Sequence, residues 1–312
     1  MTSALSWGRT PRVESARECW VADRFQPLPP ANEPLLAHGL GRSYGDVALN
    51  EGGLLLRTRH LDRFIAFDPG TGVLRAEAGV SLDDIIALAL PQGWFLPVTP
   101  GTRFVTLGGA VANDVHGKNH HRAGTFGHHV RALELLRSDG QRLHCSATDH
   151  PDWLAATLGG LGLTGLITWV ELQLVRVRTP ALWTVNRRFR NLEEYWQIDA
   201  ELGARHEYAV AWVDCLGGGR GIYTAADHAA PMKKMPPPPP SARQFRTDPP
   251  FSLVNGLTLR AFNQLYYRRP VAAQGLSHLL PFFYPLDGLL QWNRMYGRRG
   301  FFQYQCVLPP RR

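Results

Sequence analysis

The sequence has few cysteines and no cysteine pair. Its 312 residues contain only Cys19, Cys145, Cys215 and Cys306, and none of them stands in a CxxC arrangement. This spacing excludes a zinc ribbon and a dithiol redox motif, because both need two thiols within a few residues of each other. Scattered cysteines without a disulfide framework are typical of a reducing compartment, so we predict a cytoplasmic protein.

Long apolar runs and blocks of one charge are also missing. The most apolar stretch, residues 158–170, is too short and too rich in glycine and threonine to span a bilayer. The first residues lack the apolar core of a signal peptide. No block of consecutive Lys and Arg resembles a nucleic-acid-binding arm, and Arg311 and Arg312 are too few to form one. We therefore expect neither a transmembrane segment nor a nucleic-acid partner.

The charge balance is nevertheless basic. The formal net charge is +8 and the pI is near 9.6. This balance suits an anionic ligand, a nucleotide or the inner face of an acidic membrane, but on charge alone it favours a generally basic surface without a partner. With 44% hydrophobic and 19% charged residues, the composition is that of a globular chain large enough for two lobes.

Apolar patterns and turn signals predict two parts, residues 1–178 and residues 179–312, with a proline-rich loop near residues 231–250. The predicted strands are residues 34–38, 54–57, 64–67, 73–78, 133–137, 142–145, 166–177, 208–214 and 301–308. The predicted helices begin near residues 81, 106, 151, 191 and 255. Ser81 and Asp84 have the spacing of a capping box, and Asn191 is a suitable N-cap.

A glycine-dense loop, HGLGRSYGD at residues 38–46, leaves the first predicted strand. Glycines allow backbone N–H groups to approach a diphosphate closely, and Arg42 and Ser43 add donors. Taken alone, the loop is equally compatible with a tight turn that binds no ligand. A true GxGxxG occurs only later, at residues 160–165, where a helix precedes it and a strand follows. Because a Rossmann fingerprint needs the reverse context, we exclude NAD binding of that type.

The second informative segment is residues 100–121, PGTRFVTLGGAVANDVHGKNHH. Its Gly108-Gly109 pair opens a predicted helix, and a helix N-terminus suits a diphosphate. The helix leads to His116 and Lys118, so two titratable groups lie close together. Five histidines between His116 and His129 raise the possibility of a metal site. Glycines break this segment into loops, and no third ligand of the right spacing is evident, so we predict no metal.

In order and spacing, residues 38–46, 100–121 and 158–165 resemble decaprenylphosphoryl-β-D-ribose 2-oxidases. Shorter stretches around residues 7–10, 211–214, 285–287, 292–294 and 302–305 are similar too, so the resemblance runs nearly end to end. It implies an α+β fold with a PCMH-type, vanillyl-alcohol-oxidase-like FAD-binding domain, followed by an incomplete α/β substrate (cap) domain.

The resemblance also implies FAD, held without a covalent bond, and a set of contacting residues. The implied cofactor contacts are His38, Gly39, Leu40, Gly41, Arg42, Ser43, Tyr44, Gly45, Gly101, Thr102, Thr106, Leu107, Gly108, Gly109, Asn113, Asp114, Val115, His116, Gly117 and Ile167. It places Trp212, Gln303 and Gln305 in the sugar pocket, although Trp212 by itself is more typical of a core aromatic. His116 would orient or deprotonate a hydroxyl group, and Lys118 would offset negative charge beside the flavin.

The implied reaction is oxidation of a secondary alcohol on a phosphorylated sugar, C2 of a polyprenyl-phosphoryl ribose, with an NAD(P)-dependent reductase as a partner. The enzymatic alternative is an arabinono-1,4-lactone-type oxidase on the same fold. The alternative of another class is a non-catalytic remnant that binds FAD. Family members continue beyond the segment that contains Gln305, so we expect this chain to be truncated, without the active-site Lys and flavin-contacting Tyr of the family. Tyr284 stands where relatives carry His.

Overall fold

The computed structural model describes residues 4–13, 17–30, 32–233 and 235–305 and has the α+β composition that the sequence predicts. In chain order the strands are β1 (Ala4–Leu5), β2 (Arg12–Val13), β3 (Arg17–Trp20), β4 (Leu35–His38), β5 (Leu54–Arg57), β6 (Phe64–Asp68), β7 (Val73–Glu77), β8 (Trp94–Phe95), β9 (Val130–Leu136), β10 (Arg142–Ser146), β11 (Leu166–Gln173), β12 (Val175–Arg176), β13 (Ala181–Phe189), β14 (Tyr208–Asp214), β15 (Arg220–His228), β16 (Arg243–Gln244), β17 (Gln274–His278) and β18 (Leu289–Leu290). The helices are α1 (Leu82–Ala89), α2 (Leu107–Ala112), α3 (His120–Ala123), α4 (Pro151–Thr157), α5 (Leu192–Ile198), α6 (Gly256–Arg268) and α7 (Leu279–Phe283).

Two sheets from the first half of the chain carry the candidate site. Strands β3, β5 and β4 form a parallel sheet with β5 in the centre. Strands β10, β9, β11, β7 and β6 form an antiparallel sheet in that order. Helix α2 packs against β7 and β11, and Leu74, Leu107 and Val170 are fully buried between them. This apolar layer holds the loops at the ends of β4 and α2 in fixed positions.

Local capping explains where the helices begin. Ser81 and Asp84 form the predicted capping box at α1, in which each side chain accepts from the backbone N–H of the other. Thr106 caps α2 by accepting from Gly109 N at 3.1 Å, and Asn191 caps α5. Capping depends on residues three positions apart, so these starts are readable from sequence, and all of them are confirmed.

The second half of the chain forms an antiparallel sheet in the order β14, β15, β13, β17. Leu182 of this sheet and Phe283 of α7 lie in the same buried cluster as the core of the first half. The two lobes therefore share one apolar core. The boundary that we propose after residue 178 falls between β12 and β13.

The structure corrects two predicted strands. The strand expected at residues 166–177 ends at Gln173, and its continuation, β12, pairs with β8 instead. No strand forms over residues 301–305, and the remainder of that prediction, like Cys306, Arg311 and Arg312, lies outside the described residues. Residues 301–305 cross the candidate site instead of joining a sheet, because Phe301 N donates to Gly8 O at 2.8 Å and Gln305 contacts His116.

No helix within the described ranges is both long enough and apolar enough to cross a bilayer.

Candidate active site

A cavity of about 670 Å³ lies where the loops after β4 and before α2 meet the second lobe. This volume is within the usual range for a cofactor or small-molecule site. Most of the predicted cofactor contacts line it. The lining residues among them are His38, Gly39, Leu40, Gly41, Arg42, Ser43, Tyr44, Gly101, Thr102, Thr106, Gly108, Gly109, Asn113, Val115, His116 and Ile167. Gln303 and Gln305, predicted for the sugar pocket, line it as well.

The glycine loop after β4 offers unused hydrogen-bond donors. Among the described residues, no backbone N–H of residues 39–45 donates to another protein group. Gly41 and Gly45 adopt φ values of 61° and 65°, the left-handed region that favours glycine. Successive N–H groups in such a turn form a concave nest that binds anions. The loop therefore has the donors that a diphosphate needs.

Gly39 is required by a close contact between this loop and the start of α2. A Cβ atom at residue 39 would lie 2.4 Å from Thr106 Oγ1 and 2.9 Å from Thr106 Cγ2. Thr106 cannot turn away without losing its cap on Gly109 N. The glycine thus lets two cofactor loops touch, which brings both to the same wall of the cavity.

Arg42 is a cation whose charge is not neutralised by a bonded partner in the described structure. Its guanidinium lies 4.0 Å from the centre of the Trp7 ring, and its Nε is buried without a hydrogen-bond partner. Burial lowers the pKa of Arg42, which reflects the cost of holding this charge away from water. Buried polar groups are normally paired, so an unpaired guanidinium facing a cavity indicates an anionic ligand. Arg42 and the nest together fit the diphosphate of a dinucleotide.

The N-terminus of α2 does not provide the donors that the sequence suggested. Leu107 N donates to Val80 O at 2.7 Å, Gly108 N to Ala78 O at 2.8 Å, and Gly109 N to Thr106 Oγ1 at 3.1 Å. Gly108 and Gly109 line the cavity, but their N–H groups are already bound within the protein. The β4 loop, whose N–H groups are free among the described residues, is therefore the better candidate for the diphosphate donors.

His38 lies beside the nest and contacts Arg57. Its Nδ1 lies 2.7 Å from Arg57 Nη1, and Arg57 forms an ion pair with Glu18. Burial and, to a smaller extent, the charge of Arg57 lower the pKa of His38.

His116 and Gln305 meet at the cavity wall. The two side-chain nitrogens, His116 Nε2 and Gln305 Nε2, are 2.6 Å apart. With the Gln305 amide in this orientation, its N–H donates and His116 Nε2 accepts. The His116 backbone is fixed by a bridge to Thr125. The two residues are 189 positions apart in the chain, and the structure brings these two predicted site residues into contact.

Lys118 does not line the cavity, which corrects its predicted place beside the cofactor. Its Nζ donates to the carbonyl groups of Phe282 and, at 3.1 Å, Phe283, and lies 4.8 Å from the centre of the Phe282 ring. Burial lowers the pKa of Lys118 from 10.5 to about 8. The ammonium group therefore ties the α2 loop to the second lobe.

This pKa leads to a testable pH dependence. Between pH 8 and 10.5 the unfolded chain keeps the Lys118 proton, whereas the folded protein loses it. The unfolded state then binds more protons, so folding stability rises with pH in this window. Thermal unfolding of wild type and Lys118→Met should show that wild type gains stability relative to the variant from pH 8 to 10.5. Parallel pH profiles for the two proteins would contradict this placement of Lys118.

Several other predicted contacts lie behind the cavity wall or away from it. Leu107 is fully buried in the core, and Asp114 Oδ1 accepts from Gly127 N at 2.7 Å. A Cβ atom at Gly117 would lie 2.9 Å from Thr99 O, so this residue is packed against the backbone. Gly45 belongs to the glycine loop but does not line the cavity. Trp212 does not line the cavity; its ring packs 4.7 Å from Tyr266 of α6. Trp212 therefore has the packing role that the sequence left as its alternative.

Sequence reasoning missed the wall supplied by the second lobe. Leu286, Asp287 and residues 289–292 line the cavity, as does Trp7. Asp287 Oδ2 accepts from Arg103 N at 2.9 Å, and burial raises the pKa of this carboxyl group. A hydrogen bond of 2.7 Å joins Tyr284 Oη to Thr99 Oγ1. The motifs at residues 285–287 and 292–294 were the only signal of this wall, and they carried no indication of its role.

In the part of the chain that the structure describes, no three His, Cys, Asp or Glu side chains are grouped to hold a metal ion.

Comparison with known proteins agrees with this geometry. A sequence profile described as an FAD binding domain matches residues 20–146. The chain is 36% identical over 326 residues to the decaprenylphosphoryl-β-D-ribose oxidase of Mycolicibacterium smegmatis, covering 98% of this chain and 71% of that protein. It is 45% identical over 156 residues to an uncharacterized protein of Streptomyces coelicolor, covering 49% of this chain and 42% of that protein. A candidate D-arabinono-1,4-lactone oxidase of Neurospora crassa is 27% identical over 174 residues, or 56% of this chain and 31% of that protein.

The anion-binding nest, the unpaired Arg42 and the match to the FAD-binding profile agree with one another. Together with the similarity to a known oxidase, they define an FAD-dependent oxidoreductase with a PCMH-type cofactor domain that acts on CH–OH groups. The predicted cofactor and fold class are thus confirmed. The similarity to the Mycolicibacterium smegmatis oxidase covers 98% of this chain. The chain therefore belongs to the decaprenylphosphoryl-β-D-ribose oxidase family.

Proposed function

We propose that this chain oxidises the C2 hydroxyl of a polyprenyl-phosphoryl ribose to the ketone. The observation that carries the proposal is the contact between His116 and Gln305 at the wall of the FAD cavity. It is supported by the name of the Mycolicibacterium smegmatis relative, which is an oxidase of decaprenylphosphoryl-β-D-ribose.

His116 is the candidate base. Oxidation of a secondary alcohol removes a hydride from carbon and a proton from the hydroxyl oxygen. FAD, when bound, accepts the hydride. His116 Nε2 carries a lone pair and is held by Gln305, so a substrate hydroxyl that displaces the Gln305 amide can donate its proton there. Gln305 is the positioning residue, because its side chain contacts His116 Nε2 and holds the ring at the cavity wall.

FAD is expected to bind without a covalent link. Arg42 and the nest of residues 39–45 would hold the diphosphate, and Ile167 and Val115 would contact the flavin side of the cavity. His116 Nε2, the nitrogen that faces Gln305, is engaged in the hydrogen bond that the proposed proton transfer uses. Lys118 is assigned no catalytic role, because its ammonium group contacts the second lobe's backbone.

The substrate assignment is tested by turnover with an artificial electron acceptor. FAD-loaded protein should oxidise a short-chain prenyl-phosphoryl ribose and yield the 2-keto sugar, and it should oxidise arabinono-1,4-lactone at least tenfold more slowly. The lactone oxidase alternative is favoured only by a partial similarity to the Neurospora crassa protein. Faster lactone turnover would support that alternative. Full FAD binding without turnover of either substrate would support a non-catalytic role.

His116→Ala is expected to lower kcat by about 10²–10⁴-fold, the usual contribution of a general base, with FAD content unchanged. Steady-state turnover and the flavin absorbance of the purified variant measure both quantities. His120→Ala is the matched control, because the His120 ring lies 5.8 Å from that of His116 but does not line the cavity. A wild-type kcat in the His116→Ala variant would show that His116 does not take part in the proton transfer.

The proposed function also includes a partner reductase and a location at the membrane surface. The 2-keto sugar is a suitable substrate for an NAD(P)-dependent reductase, which would complete an epimerisation. A lipid-linked substrate implies work at the cytoplasmic face of the membrane, and the net charge of +8 is compatible with that surface.

A further inference from the structure

Helix α6 presents its apolar side outwards. Leu257 and Leu265 are 79% and 75% exposed, and Phe262 is 53% exposed. The inner side of the helix is polar and aromatic: Asn263 donates to Asp214, and Gln264 accepts from Arg220. A helix that packs on its own protein normally turns its apolar side inwards. The reversed arrangement indicates that something outside the described structure covers α6.

Positive charge is concentrated in the same part of the chain. Residues 235–305 contain eight arginines, two aspartates and no lysine or glutamate, so they hold six of the eight net positive charges. Both carboxylates are already engaged, Asp248 with Arg9 and Arg294, and Asp287 with Arg103 N. No acidic residue occurs between residues 249 and 286. This part of the chain is therefore basic along its sequence, and the nearest carboxylate that contacts α6, Asp214, is bonded to Arg220 and Asn263.

The exposed positive charges on α6 indicate what kind of partner would cover its apolar side. Arg260, Arg268 and Arg269 are exposed on or just after α6. In a two-fold contact between two copies these arginines would face each other, which disfavours a dimer through this helix. Protruding leucine and phenylalanine beside arginine are instead typical of a helix that lies in the surface of an anionic bilayer.

We propose that α6 docks the protein on membranes containing anionic lipid, with Leu257, Phe262 and Leu265 inserted below the headgroups. This inference rests on the proposed lipid-linked substrate, and it names the surface that would meet the bilayer. Docking would keep the polyprenyl chain in the membrane while the phosphoryl ribose enters the protein.

Vesicle co-sedimentation of the FAD-loaded full chain tests the proposal. We expect binding to vesicles of phosphatidylcholine mixed with phosphatidylglycerol and little binding to phosphatidylcholine alone. Arg260→Gln/Arg268→Gln should bind roughly thirtyfold more weakly at low salt, from the usual contribution of two surface arginines. Leu257→Ser/Leu265→Ser should bind at least about tenfold more weakly.

The matched control is Leu192→Ser/Trp196→Ser on α5. Leu192 and Trp196 are also exposed, but Glu193 and Glu194 lie beside them, so this helix should not meet an anionic surface. Its variant should bind within about twofold of wild type. Equal binding to both lipid compositions, or unchanged binding by both α6 variants, would overturn the proposal. So would a wild-type dimer, seen by ultracentrifugation, that Leu257→Ser/Leu265→Ser abolishes.

The failure of docking and the failure of the proposed function are distinguishable. Turnover of a short-chain, water-soluble prenyl-phosphoryl ribose does not need a membrane, so both α6 variants should retain it. If vesicle binding follows the prediction and this substrate is not oxidised, the docking surface stands and the substrate assignment fails. If the substrate is oxidised and no vesicle binds, the docking proposal fails alone.

Discussion

Arg42→Gln should weaken FAD binding by about a hundredfold, corresponding to one or two lost hydrogen bonds to a charged group. Arg42 is the cavity cation whose buried Nε has no partner among the described residues, and it lies over the Trp7 ring. Glutamine retains a donor but loses the charge and the planar fork that matches phosphate oxygens. Equilibrium dialysis against FAD, followed by flavin fluorescence, measures the dissociation constant.

Two further variants separate the causes of that loss. Arg42→Lys keeps the positive charge and loses the fork, so its affinity should fall between wild type and Arg42→Gln. Arg131→Gln removes a surface arginine that pairs with Glu171 and does not line the cavity, so FAD affinity should stay unchanged. Wild-type affinity in Arg42→Gln would show that the diphosphate does not lie at this guanidinium.

Gly39→Ala should destabilise the protein by about 1–3 kcal/mol, the usual cost of overpacking, and should lower FAD affinity. The new Cβ would meet Thr106 Oγ1 at 2.4 Å, so the β4 loop must move away from α2. Because this loop carries the nest and Arg42, its displacement disturbs the anion site directly. Chemical unfolding and FAD titration of the variant measure the two effects.

A second substitution tests the steric cause of the Gly39→Ala effect. Thr106→Ala alone removes a helix cap and should cost about 1 kcal/mol. It also removes the two nearest atoms, Oγ1 and Cγ2, and leaves Thr106 Cβ at 3.2 Å. The double variant should therefore be less destabilised than the sum of the single variants. Gly101→Ala, with no atom within 4 Å of its Cβ position, is the control for stability. Additive losses would exclude the proposed contact.

Elements defined by local chemistry were predictable from sequence. The capping box at Ser81, the cap at Thr106 and the glycine loop after β4 depend on residues within a few positions of each other. Strands β4, β5 and β14 were found because each is a short run with turn signals beside it. Most predicted cofactor contacts line the cavity, because the family motifs mark the two loops that form its main wall.

Features that depend on distant residues were not predictable. Strands β13 and β15 were missed, since β15 mixes Gly, Ala and Thr with polar residues and is buried only by its neighbours in the sheet. Strand formation at residues 301–308 was predicted from composition, yet residues 301–305 cross the cavity. The family resemblance placed Lys118 beside the flavin, but carbonyl groups more than 160 residues away bind its ammonium.

The α2 N-terminus illustrates a limit of motif reasoning. A Gly-Gly pair at a helix start suits an anion only when its N–H groups are free. Val80 O and Ala78 O occupy two of these donors, and neither acceptor is close to the glycines in sequence. Among the described residues, the free donors belong to the other glycine loop, although Gly108 and Gly109 do line the same cavity.

Anaerobic mixing of the FAD-loaded chain with a short-chain prenyl-phosphoryl ribose tests whether the protein oxidises this sugar with its bound flavin. We expect the visible flavin band to bleach and the 2-keto sugar to form in equal amount. Acid precipitation afterwards should release the flavin into the supernatant. An unchanged flavin spectrum in the presence of this substrate would contradict the proposed reaction. Flavin that remains in the acid pellet would contradict the non-covalent site.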